Sequence, residues 1–323
     1  MTKIAIVTGA SRGFGRGVAH VLGAESDYRV YATARTKVAL DELREDVANS
    51  GGAGEIVPIV LDQNDDDAVI SFVNRVTASE QKIDLLVNSA YAGLIAMTPH
   101  FGKPFWERPI SVYDGSMNVG VRSSYVMSKL VAPSMVNNRS GLIVQISSWG
   151  GFTYVFDVGY GVAHAAMDRL SFDMATELQE HNVQAVTIHP SGGQTEVTEF
   201  PDGETPTYVG RSVLALVEKA GSDFLAKANG KTLFTAELAE QFGFFEDHDT
   251  DGALNRARLE GLQPFKAISA NRLAQYNLDA PLPRAADTNN SEFANLFPGA
   301  KKFISSLTVP RVAKIRRFPM QIK

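Results

Sequence analysis

Residues 145–164 read QISSWGGFTYVFDVGYGVAH. Ser147 and Ser148 close an aliphatic and β-branched run, Leu142 to Ile146, which has the pattern of a buried parallel strand. A Gly-containing loop follows, and Tyr160 opens a helix of small residues. Tyr160 and His164 lie four apart, so both side chains project from one face. A hydroxyl at a strand end, facing a phenol and an imidazole one turn apart, could move a proton. An ordinary strand–loop–helix with a surface histidine reads the same way, so the rest of the chain has to decide.

The elements around this stretch alternate. A strand over residues 3–8 (KIAIVT) runs into GASRGFGRG and then a helix, VAHVLGAE. Strand, Gly-rich turn and helix in that order make a phosphate cradle. Gly9 permits the tight turn, Gly13 lets backbone N–H groups approach a pyrophosphate, and Gly15 allows close helix–strand packing. Further strands are predicted at 29–34, 55–61, 83–90, 142–147, 183–189 and 231–234, with helices at 38–48, 65–81, 117–136 and 161–181. This alternation predicts an α/β fold, a doubly wound parallel Rossmann sheet of about seven strands with a C-terminal extension. Ligands in such sheets bind beyond the carboxyl ends of the strands, where Gly9, Asp62, Asn88, Ser148 and Pro190 fall. Residues 1–235 are expected to form the nucleotide-binding and catalytic domain, and 236–323 an extension packing on it.

Composition narrows the class. The chain has 323 residues, 44% hydrophobic and 21% charged, with ample core and no cysteine. Disulfides and thiolate metal sites are therefore excluded. Met1 runs at once into the first strand, leaving no room for a signal peptide, and no apolar run approaches the ~20 residues of a membrane span. A cytoplasmic protein is expected. The net charge of −5 argues against a nucleic-acid partner. Residues 300–323 hold seven basic groups and no acid, with apolar residues interleaved. Such a tail could rest on an anionic membrane surface, although a solvated segment packing on the domain is favoured.

Thr8-Gly9-Ala10-Ser11-Arg12-Gly13-Phe14-Gly15, Asp62, Asn88-Ser89-Ala90, Asn118, Ser148 and Tyr160 together resemble the short-chain dehydrogenase/reductase family, in order and spacing, over residues 3 to about 235. NSAYAG, the FWE at 105–107, NVGVRSSY and ISSWGGFTYVFDVGYGV resemble its member 1 branch more narrowly. The resemblance implies that Tyr160 donates a proton to a carbonyl oxygen, or takes one from an alcohol, while Ser148 holds that oxygen. It implies a nicotinamide cofactor held by Gly9, Ser11, Arg12, Gly13, Phe14, Gly15, Asp62, Asn88, Ala90, Tyr160, Pro190 and Thr195. It also implies a homodimer or homotetramer through the helices at 117–136 and 161–181.

Three positions depart from that pattern. Tyr91 stands where most of the family has glycine, and Ser191-Gly192-Gly193 replaces the usual Gly followed by aliphatics. His164 stands where Tyr-x-x-x-Lys requires lysine. That lysine binds the nicotinamide ribose and lowers the phenol pKa, and Asn118 anchors the water chain that feeds it. His164 can still donate to a ribose hydroxyl, with an ordinary pKa of ~6.5 and an expected titration between about pH 5.5 and 7.5. A neutral imidazole suits carbonyl reduction better than alcohol oxidation. Loss of redox chemistry, with Tyr160 and His164 reused as an acid–base pair or the chain acting as a cofactor-binding scaffold, is the alternative.

Cofactor choice rests on the end of the second strand. Ala32 to Lys37 contain no acid to hold a ribose 2′-hydroxyl, whereas Arg12 and Arg35 could clamp a 2′-phosphate, which favours NADP(H) over NAD(H). Residues 94–110 and the extension are expected to shape an apolar pocket for a small to medium carbonyl or alcohol substrate, through Phe101, Phe105 and Trp106. Two motifs are decoys. Tyr125 to Lys129 satisfies Tyr-x-x-x-Lys but has no serine-bearing strand end before it. Asp247 to Gly252 opens like a calcium loop, yet its twelfth position is Arg258 rather than Glu. No metal is expected.

Overall fold

The computed structural model describes residues 2–200 and 202–270, without the side chains of 264–270; the basic tail at 300–323 lies outside the described residues. The chain alternates β1 (Lys3–Thr8), α1 (Gly13–Ala24), β2 (Tyr28–Ala34), α2 (Lys37–Asn49), β3 (Glu55–Val60), α3 (Asp66–Ser79) and β4 (Leu85–Asn88). After the short helices α4 (Gly93–Met97) and α5 (Ile110–Ser116) come α6 (Ser123–Asn138), β5 (Gly141–Ile146), α7 (Val158–Leu178) and β6 (Val183–His189). Then follow α8 (Pro206–Glu218), α9 (Ser222–Ala228), β7 (Thr232–Phe234), α10 (Thr235–Phe242) and α11 (Ala253–Ala270). The strands form one parallel sheet in the order β3-β2-β1-β4-β5-β6-β7. The order reverses between β1 and β4, which opens a crevice at their carboxyl ends.

Strand β1 shows why the sheet needs helices on both faces. Ile4 and Ile6 enter one hydrophobic cluster and Ala5 and Val7 the other, so both faces of the strand are buried. Helix α1 meets α8 backbone to backbone. A Cβ on Gly17 would stand 2.0 Å from the Pro206 carbonyl oxygen, so no larger residue fits this crossing.

Two expectations are corrected here. The helix over 117–136 is broken, because Val119 and Gly120 leave helical φ/ψ and α6 starts only at Ser123. Gly120 has room for no side chain: its Cβ would meet the Tyr91 ring at 2.9 Å. Residues 94–110, whose Pro and aromatic content predicts a loop over the ligand-binding edge, instead contain α4, two 3-10 turns (Thr98–His100 and Phe105–Glu107) and the start of α5.

The calcium-like loop has a different use. Asp249 accepts the Leu254 and Asn255 N–H groups at 3.0 Å and so caps α11, while Asp247 pairs with Arg211 at 2.7 Å. Among the described residues no cluster of His, Asp and Glu could hold a metal ion, and no helix is long and apolar enough to cross a membrane. Arg258, at the loop's twelfth position, turns inward. Its guanidinium bonds Glu246 and the Gly203 carbonyl, both at 2.9 Å, and covers the Tyr208 ring. Glu246 in turn holds Thr205, the N-cap of α8. Removing one partner of a buried ion pair strands the other, at roughly 3–5 kcal/mol. Arg258→Ala is therefore expected to lower the unfolding free energy by about that much, read from urea denaturation at pH 7. A loss under about 1 kcal/mol would show that the pair does not hold the extension.

Candidate functional site

The crevice at the switch point is built from backbone first. Gly9 follows β1 with φ +71°, and its missing Cβ lets Ala90 approach; a methyl there would lie 2.8 Å from the Ala90 Cα. The Thr8 hydroxyl ties the two strand ends together, accepting the N–H groups of Ser89 at 3.0 Å and Ala90 at 3.1 Å. Over this floor runs a cavity lined by Gly9, Ser11, Arg12, Gly13, Phe14, Gly15, Arg35, Asp62, Ala90 and Thr195, and at its inner end by Ser147, Tyr160 and His164. A second, smaller cavity adjoins it at Ser148, Tyr160 and Pro190, with Phe14, Trp149, Phe156 and Phe200 around it.

Helix α7 places the two central side chains. Asp157 is its N-cap, accepting the Tyr160 N–H at 2.6 Å, and Arg108 reaches across to the same carboxylate at 2.6 Å. Tyr160 and His164 then face inward, 7% and 5% exposed, with ring centroids 4.1 Å apart. Tyr91 packs on both, 5.9 Å from Tyr160 and 5.0 Å from His164, and its hydroxyl donates to Ser116 at 3.0 Å. Burial raises the Tyr91 phenol pKa.

Burial dominates the electrostatics of the site. It pushes the Tyr160 phenol up to about 12, a rise that a hydrogen bond from Ser148 partly offsets. The same cause holds His164 well below the ordinary histidine value, helped by repulsion from His189. His164 is thus a neutral imidazole. Its Nδ1 faces the Ser147 hydroxyl at 3.2 Å, and its Nε2 is buried without a hydrogen-bond partner. The expected titration of His164 between pH 5.5 and 7.5 is overturned, because desolvation penalises the charged form.

Other expected positions come out differently. Asn88 is fully buried and donates to Ser128 at 3.0 Å, lining neither cavity. Asn118 lies exposed at the helix break and lines neither cavity. Phe105 and Trp106 are 59% and 73% exposed and do not line the second cavity, whereas Phe101 reaches it through Phe156 at 5.7 Å. One participant was not legible in the sequence. Glu196 places its carboxylate on the Gly13 N–H at 2.8 Å, at the first turn of α1. An acid beside Thr195 carries no motif of its own.

The family pattern described as short chain dehydrogenase matches residues 3–203. The chain belongs to the short-chain dehydrogenase family. Within this family, dehydrogenase/reductase SDR family member 1 of Mus musculus is 36% identical over 271 residues, 77% of this chain and 84% of that protein. Carbonyl reductase (NADPH) 2 of Sus scrofa is 33% identical over 192 residues, 58% of this chain and 70% of that one. A metagenomic short-chain oxidoreductase solved in complex with NADP superposes with a TM-score of 0.60 at 26% identity, covering 72% of this chain and 96% of the other. The seven-stranded sheet is the Rossmann-like sheet of these short-chain dehydrogenases.

A buried neutral histidine makes stability depend on pH. The unfolded chain takes up a proton below about pH 6.5 and the folded chain resists it. The contribution of His164 is therefore complete above that value and declines as the pH falls toward the lower folded value. Native protein should lose melting temperature on acidification from pH 7 to 5 more steeply than His164→Gln. Parallel curves for the two proteins would mean that His164 charges freely in the fold.

Proposed function

We propose that this chain is an NADPH-dependent oxidoreductase that reduces a small to medium apolar carbonyl compound. The observation that carries the reading is the place of Tyr160, which lines both the Gly-rich crevice and the second cavity, with Ser148 in the wall of the latter. The crevice fits a dinucleotide. Gly9 and Gly13 leave the turn bare, and the Gly13 N–H is held only by a side-chain carboxylate that an incoming pyrophosphate can replace. Gly13 and its neighbours Ser11, Phe14 and Gly15 would hold the pyrophosphate, Arg12 and Arg35 the 2′-phosphate, and Ala90 and Thr195 the flanks. Tyr160 and His164 would hold the nicotinamide ribose.

When bound, the cofactor supplies the hydride. The protein supplies the rest. Ser148 donates a hydrogen bond to the carbonyl oxygen, and Tyr160 gives that oxygen its proton. A phenol near 12 is protonated throughout the neutral range, which suits reduction and opposes alcohol oxidation. The second cavity, with Trp149, Phe156 and Phe200 among its walls, favours an uncharged substrate. The second reading is non-redox acid–base chemistry by Tyr160 and His164, favoured because no cation stands beside the phenol among the described residues.

NADPH consumption across ketones, aldehydes and quinones tests the first reading. Tyr160→Phe should lower kcat by about 10²-fold or more. His164→Lys should bring alcohol oxidation within reach at mildly alkaline pH. No turnover with any carbonyl, together with a His164→Lys protein equally silent, would sink it in favour of the second.

Glu196 adds a separate expectation. Its carboxylate competes with the pyrophosphate for one helix terminus, an interaction of about 0.3–1 kcal/mol at low salt. Glu196→Gln should therefore tighten NADPH binding about two- to five-fold at low ionic strength, with the difference shrinking in high salt. Equal Kd values at both salt concentrations would show that the carboxylate leaves the turn freely.

A further inference from the structure

We infer that the second cavity is an aryl-binding subsite shaped by Gly192 and Phe200, so that the carbonyl compound reduced here carries an aromatic ring beside its carbonyl. The place of the ring follows from the cavity itself; only the reduction rests on the reading above.

Ser191-Gly192-Gly193 is where this chain departs from its family's glycine followed by aliphatics. Neither Gly192 nor Gly193 has a left-handed φ, so the backbone does not call for glycine at either position. Space does. A Cβ on Gly192 would stand 2.8 Å from Phe200 Cγ, and one on Gly193 would stand 2.8 Å from Phe14 Cζ. All four residues line the second cavity, so the two rings take the room that aliphatic side chains would fill.

The rings are held in place. The Phe200 N–H and the Thr198 hydroxyl both donate to the Gly193 carbonyl, at 3.4 and 3.0 Å, and the Glu204 N–H donates to the Gly192 carbonyl at 2.7 Å. Phe156 stands edge-on to Tyr160 at 5.1 Å, with Phe101 edge-on to it at 5.7 Å. Trp149 rests edge-on against Phe234 at 6.0 Å. Walls of this kind are preorganised for a rigid, flat guest. Each aromatic pair favours an aryl ring over a saturated ring of equal size by about two- to ten-fold, and a flexible chain loses rotational freedom on entry. No charged side chain is among the lining residues, so an ionised substituent would enter without a partner. The carbonyl would meet Ser148 and Tyr160, which line the same cavity.

Trp149 is one of two tryptophans, and the other, Trp106, is exposed and lies outside the cavity. In a Trp106→Phe protein the indole fluorescence therefore reports on the cavity alone. Benzamide and cyclohexanecarboxamide, unreactive and nearly equal in size, are the probes. Benzamide is expected to bind about three- to ten-fold more tightly, and Phe200→Leu to bring the two within about two-fold. Gly192→Ala should crowd the Phe200 ring and weaken benzamide, and Phe200→Leu in the same chain should relieve that loss. Equal binding of the two amides, or no fluorescence response to either, overturns the subsite. A preference that survives Phe200→Leu overturns the role of Gly192 and Phe200. With NADPH, benzaldehyde should show a KM lower than that of cyclohexanecarbaldehyde by a similar factor, and equal KM values overturn the substrate class. Benzamide bound with the stated preference, but no reduction of either aldehyde, would remove the carbonyl-reduction reading and leave the subsite.

Discussion

The Asp157 carboxylate holds two parts of the molecule at once. One oxygen caps α7 at the Tyr160 N–H and the other takes the Arg108 guanidinium, with both partners of the ion pair almost wholly buried. The cap fixes where α7 begins, and hence the face that Tyr160 and His164 share. The ion pair fixes the segment before it, where Phe156 sits at φ +63° with its ring against Tyr160 at 5.1 Å. A non-glycine residue held in the left-handed region persists only where its surroundings over-determine it. Arg108 supplies that constraint by also bonding the Lys103 carbonyl at 2.8 Å, which ties residues 100–109 to the head of the helix. The site thus has one anchor shared by its helix and its wall.

From this anchor the electrostatics follow. A phenol pushed to about 12 costs on the order of 7 kcal/mol to ionise at neutral pH. A cation one turn along would recover part of that, and a neutral imidazole recovers little. The arrangement therefore stores a proton on Tyr160 instead of preparing a phenolate. That asymmetry is a property of burial and of residue type at position 164, and it needs no special geometry.

The sheet and the crevice were legible because their signals are local. Alternating runs such as KIAIVT and EIVPIV, a Gly-rich turn between strand and helix, and serines at a strand end each carry their meaning within a few residues. What escaped the sequence depends on distant neighbours. Gly120 breaks a helix because the Tyr91 ring needs its volume, and those residues lie 29 apart in the chain. Asn88 turns to Ser128 on α6, and no spacing rule foretells that choice. The Asp-rich loop at 247–251 resembles a cation site because helix caps and calcium loops draw on the same oxygen-bearing residues. Only the direction of each carboxylate, toward α11 or toward Arg211, separates the two.

The neutrality of His164 has one more cause further along the same helix. Asp168 lies one turn beyond it, on the buried face, where a carboxylate could raise the imidazole pKa and restore a cation. That carboxylate is committed elsewhere: it bonds His189 Nε2 at 2.8 Å, with both groups out of solvent. Gly151 packs against its other oxygen, leaving a Cβ no room at 2.5 Å. The histidine at the end of β6 takes this carboxylate. His164, buried, beside a second imidazole and without a counter-ion among the described residues, stays uncharged. Burial is thus the main cause of the neutrality of His164, and the pairing of Asp168 with His189 behind the crevice, between α7 and β6, leaves that burial uncompensated.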